Sequence, residues 1–378
     1  MRRRTFLTGA ATAAGLTTVA APAVSPPPVA ASDDRSVPRV LSERAAAEGV
    51  VRPDRRFDLV SVTREAGAPA GAIRFETPDG LGSWRPLHAH TGGRDDREPT
   101  ASALVRAPEG ATGYEVGGDA RTSALNLRDG EELRFGGPER VTLAAEADPD
   151  GDSNADADAD GSRARRSPGP VRFLTRAGWG ADESLRFDED GNDLWAPVFH
   201  RTQLLTVHHT ALATTGDHAA DVRGVYHYHA AELGWGDIGY HVLIDPDGVV
   251  YEGRHSGEDG VPVFSGRPRP GDARSVTAGH VYGYNHANVG VCLLGDFTDE
   301  LPTRAALDSL VLVLRVLCAA TGLDPAAEIT YVNPDTGART PGDTLSRHRD
   351  WLATECPGNA FAAEFDTLVR DRVTGRRG

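Results

Sequence analysis

The 378 residues contain no lysine, so all 40 basic side chains are arginine, and the single methionine is Met1. Apart from histidine, every cationic contact this chain makes is therefore made by a planar, permanently charged guanidinium. Positive charge is also short overall: 55 acidic residues leave a net charge of −15. That balance gives no basic face for DNA or RNA, and nucleic acid is not an expected partner. No run of about 18 apolar residues occurs, so no helical membrane span is expected. Cysteine appears three times, at Cys292, Cys318 and Cys356. A disulfide framework is excluded, at most one pair can form, and one thiol is left over.

Glycine (43) and proline (25) are plentiful and punctuate the chain. The start reads Arg2-Arg3-Arg4-Thr5-Phe6-Leu7, then a mildly apolar Ala/Gly/Thr stretch, then Ser25-Pro26-Pro27-Pro28. A charged segment, a short apolar segment and small residues over 1–31 form an export signal of the twin-arginine type. The expected location is therefore secreted, extracellular or in the cell wall. Over 55–146, short alternating runs such as Phe57–Val62 and Ala72–Glu76 predict a small all-β domain. Residues 147–170 read as an acidic flexible linker. Within it Asp156, Asp158, Asp160 and Gly161 match half of a calcium loop, but Ser167 stands where the bidentate Glu belongs. A solvated linker is the expectation there.

From 171 to 372 strand and helix signals alternate, which predicts an α/β domain. Leu204–Val207 suits a buried strand, and Val222, Val225, Tyr226, His229 and Leu233 fall at helical spacing. Pro246-Asp247-Gly248 separates two strand-like runs and reads as a hairpin turn. Val289–Leu294 reads as a core strand, Leu307 to Leu317 as a helix, and Phe361, Phe365 and Leu368 as a last helix. Cys292 and Cys318 fall in such apolar runs and read as buried small hydrophobes. Cys356, in the polar turn Thr354-Glu355-Cys356-Pro357-Gly358, needs a chemical explanation.

Strand Leu204–Val207 leads into His208-His209-Thr210, and His348 precedes Cys356 by eight residues. Two imidazoles and a thiolate are a good zinc set, and three protein ligands with one open position distinguish a catalytic zinc from a closed structural one. Taken singly, a His-His pair at a strand end is most often ordinary surface, and a lone Cys before Pro is most often structural. The joint pattern carries more weight.

Four motifs in order resemble the peptidoglycan recognition protein and type 2 N-acetylmuramoyl-L-alanine amidase family. They are Val207-His208-His209-Thr210, Gly234 to His241, Val250 to Arg254, and Arg347-His348 to Thr354–Gly358. Arg176–Ala181 also resembles the lead-in found in actinobacterial members. The resemblance covers about Phe173 to Val369. It implies a mixed α/β domain with a central β-sheet flanked by helices, here preceded by the small all-β domain. It also implies Zn2+ held by His208, His348 and Cys356, with Tyr240 assisting catalysis. Where phage members carry a lysine two residues before the Cys, this chain has Thr354, as animal catalytic members do. Thr354 is thus a hydrogen-bonding candidate, and the proton donor is left open.

The same resemblance places His209, Gly234, Trp235, Arg254, His280 and Asn285 along a substrate groove. Gly234-Trp235 leans towards diaminopimelate-type stem peptides, and Arg254 is a candidate to pair the extra carboxylate. A core role for Trp235 and a solvated role for Arg254 are the bland alternatives. His229 is expected to be a satisfied, partly buried histidine, whereas His200, His218, His227, His255 and His286 show no partner pattern and read as surface. The implied activity is hydrolysis of the lactyl-L-alanine amide of bacterial peptidoglycan by a monomeric enzyme. Its rivals are a non-catalytic peptidoglycan-binding module and a zinc hydrolase of another amide.

Overall fold

The computed structural model describes residues 35–46, 49–65, 67–69, 71–88, 92–144 and 168–376. The export signal, nearly all of the acidic linker and its half calcium loop lie outside the described residues.

Strands Leu204–His209 and Asn288–Leu293 are buried at every position, so they read as continuous rather than alternating apolar runs. They are the fifth and sixth strands of a seven-stranded mixed sheet. Its order is 140–143, 171–174, 250–252, 242–244, 288–293, 204–209 and 345–347. Four neighbouring strands, 242–244 to 345–347, run parallel. Strand 250–252 returns antiparallel to 242–244 through the Pro246-Asp247-Gly248 turn.

Helix Arg304–Thr321 closes one face. Thr303 caps its start by accepting from the Ala306 amide, and Gly322 ends it at φ 76°. Leu310, Leu314 and Leu317 pack with Leu205, Val207, Val289 and Val291 in the first core, together with Phe361 and Phe365. The C-terminal helical segment is broken into short pieces between Asn359 and Thr374. Helix His218–His227, capped by Asp217, covers the opposite face and runs on into a wider turn, Tyr228–Glu232. Cys292 belongs to that second core and Cys318 to the first, on the other face of the sheet; both are free thiols, as is Cys356.

The described residues before 145 are all strand and loop. Strands 41–46, 121–126, 59–64 and 101–106 form an antiparallel sheet, and 50–51, 113–116, 72–77 and 80–81 form another. Val60, Val62, Phe75, Tyr114 and Val116 fill the core between them. Period-2 alternation turns Leu59 and Leu125 to the other side, where they enter the helix-covered core of the α/β domain. Gly224 permits that approach, since a methyl group there would lie 2.6 Å from Leu59 Cδ1. Strand Arg140–Leu143 is the edge of the seven-stranded sheet itself, paired antiparallel with Val171–Leu174. The N-terminal β module is therefore packed onto the α/β domain through a shared core.

Candidate metal centre

In open α/β sheets, ligands bind beyond the carboxyl ends of parallel strands. Here those ends carry histidines. Val207 pairs with Arg347, so His208 and His348 leave adjacent parallel strands side by side, with ring centroids 4.6 Å apart. Cys356 arrives from the turn that follows, and its Sγ lies 3.7 Å from His208 Nδ1. One ligand atom from each of His208, His348 and Cys356 falls within 4.8 Å of the other two, and all three residues are buried.

The donor set fits zinc: two borderline imidazoles and one soft thiol, in a cluster too small for much besides a single ion. Burial pushes the Cys356 thiol up to about 12, opposed by the His209 amide that points at it from 3.4 Å. A thiolate in so dry a place calls for a cation beside it.

The tautomer of His208 is set from behind. His280 Nε2 lies 3.1 Å from the Asn288 carbonyl, which only accepts, so Nε2 carries the proton. Burial and the nearby His241 hold His280 well below its ordinary pKa, so it is neutral and its Nδ1 accepts. The partner at 3.0 Å is His208 Nε2, which must then donate, leaving His208 Nδ1 as a lone pair aimed at Cys356. Gly290 makes room for this relay, because a Cβ there would sit 2.6 Å from the His280 ring.

Tyr240 stands beside the cluster, its ring 5.4 Å from that of His208. Burial raises its phenol well above the ordinary value, and so do Cys292 and Cys356. Tyr240 therefore keeps its proton and serves as a donor rather than a base. Thr354 Oγ1 accepts from the Cys356 amide at 3.3 Å and shapes the turn that delivers the thiol. His209 faces away from the cluster: its Nδ1 accepts from the Phe297 amide, while the residue lines the space over Cys356.

Four residues expected along the groove prove to be inside the scaffold. Arg254 is 1% exposed, with Nη1 2.7 Å from Asp237 Oδ2, Nη2 on the Trp195 carbonyl and Nε on that of Thr277. Three of its five N–H donors are thus committed inside the scaffold, and it is not solvated. Asn285 is fully buried; it accepts from the His280 and Val281 amides and donates to the Gly93 carbonyl and Asp95. His280 holds His208 rather than a substrate. Trp235 stacks on His229 at 4.7 Å, and its carbonyl takes Arg94 Nη1 at 2.6 Å. Gly234, at φ 68°, makes the turn that seats this indole. His229 accepts from the Gly239 amide as a buried, satisfied histidine. His227, His255 and His286 are buried as well, not surface residues.

Sequence reasoning missed Asp237, which lies between Arg176 and Arg254 as a buried ion triad. It also missed the roof. A cavity of about 300 Å³ over Tyr240 is lined on one side by Arg85, His88 and Arg106 and on the other by Thr210 and His229. A neighbouring one of about 270 Å³ joins Leu87 and His88 to Thr354 and Cys356. His88 Nδ1 lies 3.2 Å from Glu355. No spacing rule links His88 to a motif some 270 residues downstream; only the packing of the β module does.

Fold and site together define a mixed α/β domain with a buried His-His-Cys cluster at the ends of parallel strands. Comparison with known proteins finds a matching family for this domain: residues 199–359 match the N-acetylmuramoyl-L-alanine amidase family model. Human N-acetylmuramoyl-L-alanine amidase is 32% identical over 150 residues, 40% of this chain and 20% of the human protein. Peptidoglycan-recognition protein LB of Drosophila melanogaster is 27% identical over 201 residues, 52% of this chain and 68% of that protein. Among solved structures, Drosophila PGRP-LB aligns with a TM-score of 0.37 at 27% identity, covering 52% of this chain and 94% of that one. The amidase LysC of Clostridium intestinale aligns with a TM-score of 0.31 at 26% identity, over 47% and 95%. The match thus spans a fifth of the human relative's length.

Proposed function

We propose that this protein is an exported, zinc-dependent N-acetylmuramoyl-L-alanine amidase that cleaves the lactyl-L-alanine amide of peptidoglycan. The observation that carries the reading is the convergence of His208, His348 and Cys356 within 4.8 Å beside Tyr240. Zinc bound by those three side chains supplies a Lewis acid and brings the pKa of a water to about 7.

The chain's own residues do the rest. His280 fixes the ring of His208, and the His209 amide and the Thr354 turn hold Cys356 in place. The Tyr240 hydroxyl, kept protonated by burial, is the donor available to an oxyanion developing on the substrate. With no lysine in the chain, proton transfer to the leaving amine falls to a hydroxyl, an imidazole or solvent. Arg85, His88 and Arg106 of the β module wall the same space, so the module takes part in admitting substrate. The resemblance at Gly234-Trp235 supports a diaminopimelate-type stem, to which Arg254 does not contribute. The pattern of residues 1–31 supports export by the twin-arginine route, and we take the enzyme to be a monomer.

Digestion of diaminopimelate-type peptidoglycan, followed by mass spectrometry, tests the reading. It predicts free stem peptides beginning at L-alanine. Binding without release would assign a recognition module, and cleavage at another bond would assign a different hydrolase.

A further inference from the structure

A second group of metal-binding side chains lies apart from the His-His-Cys cluster. His200, in the middle of strand Phe199–Arg201, meets His286 with ring centroids 4.9 Å apart at 85°. One ligand atom from each of His200, His286 and Asp335 lies within 4.8 Å of the others. His286 Nε2 is 3.1 Å from Asp335 Oδ2 and 3.5 Å from Asp95 Oδ2. Asp95 comes from the N-terminal module, and the other three from the α/β domain.

The polar atoms in this cluster are not satisfied by one another. His200 Nε2 and Asp95 Oδ2 are both buried and have no hydrogen-bond partner among the described residues. Such atoms cost about 1–3 kcal/mol each unless something unseen pairs with them. Burial raises the Asp95 carboxyl, against the Gly283 amide and Asn285, which occupy only Oδ1. Burial lowers the His200 imidazole below its ordinary value. His286 Nδ1 is 3.3 Å from Thr277 Oγ1, a hydroxyl that can donate or accept, while Nε2 faces both carboxylates. Either a proton or a metal cation must therefore lie between Nε2 and the two carboxylates.

We propose that His200, His286 and Asp335 bind a divalent transition ion of the zinc class, with Asp95 beside His286. Two imidazoles with a carboxylate suit zinc or its neighbours, whereas calcium and magnesium select all-oxygen sets. Asp335 is the exposed member and borders a cavity of about 670 Å³ that gives the ion a way in. Asp95 takes the Gly283 amide and Asn285 Nδ2 at 2.7 Å each, so the β module is held against this cluster. This inference does not depend on the amidase reading.

Cobalt separates the two sites, because only a Cys-ligated ion shows a thiolate-to-cobalt charge-transfer band. Full-length protein, stripped with a chelator, is titrated with Co2+ by absorption, and its zinc content is measured by mass spectrometry after dialysis. The proposal predicts one equivalent with the charge-transfer band and a second with ligand-field bands only. Cys356→Ser should lose the former and keep the latter; His200→Gln with Asp335→Asn should do the reverse. Should the double variant fail to fold, Asp335→Asn alone, at an exposed position, should weaken the second equivalent about tenfold or more. A single equivalent in the unmodified chain, or a second one that survives the double variant, overturns the proposal.

Discussion

His280 Nδ1 sits 3.0 Å from His208 Nε2, and that one contact decides which nitrogen of His208 faces Cys356. The relay continues to the Asn288 carbonyl, so a backbone group of the central strand sets the protonation of a side chain on its neighbour. His280→Ala is expected to lower zinc affinity and turnover by about 10–100-fold while leaving the fold in place. Chelator competition and circular dichroism check this together. Unchanged affinity would remove His280 from the positioning role.

Tyr240→Phe keeps the ring and deletes the phenol that stands beside the cluster. Turnover should fall about 10²–10³-fold with metal content unaltered. Loss of metal along with activity would instead mean that the hydroxyl supports the ligands.

Asp237 neutralises both Arg176 and Arg254 in the interior. Burial raises its carboxyl, but the two guanidinium groups outweigh burial and bring it to about 2. Since the folded value lies below the unfolded one, its stabilisation is complete above about pH 4 and is lost as pH falls towards the folded value. Asp237→Asn should cost about 3–5 kcal/mol at neutral pH, because two buried cations lose their partner. Denaturant unfolding at neutral and acidic pH reads both effects; the variant should show a shallower loss of stability in acid.

Leu59 belongs by sequence to the β module and by packing to the core under helix His218–His227. Leu59→Ala should destabilise by about 2–5 kcal/mol. Because the core is shared, thermal unfolding should remain a single transition that moves as a whole. Two transitions, with only one displaced, would show that the modules unfold separately.

How much of this was legible in the sequence varies with the range of the interactions involved. Strand 204–209, the hairpin around Pro246-Asp247-Gly248 and helix 304–321 follow from local apolar pattern and turn chemistry. The meeting of His208, His348 and Cys356 was readable only because motif order stood in for the parallel pairing of Val207 with Arg347. Arg254, Asn285 and Trp235 were read as groove residues, and their burial depends on partners no local pattern reveals. Asp237 takes Arg254, and Gly93, Arg94 and Asp95 of the β module take Asn285 and the Trp235 carbonyl. His200 and His286 looked solitary for the same reason: the residues that meet them come from three separate stretches of chain.

The most direct test of the central claim couples metal to turnover at the Cys356 site. Protein stripped of metal is titrated with zinc while release of stem peptides with new L-alanine amino termini is followed in the same samples. Activity should be absent at the start, rise as the thiolate-containing site fills, and be missing throughout in Cys356→Ser. Full turnover by the stripped protein, or by Cys356→Ser, would contradict the assignment of His208, His348 and Cys356 as the catalytic metal centre.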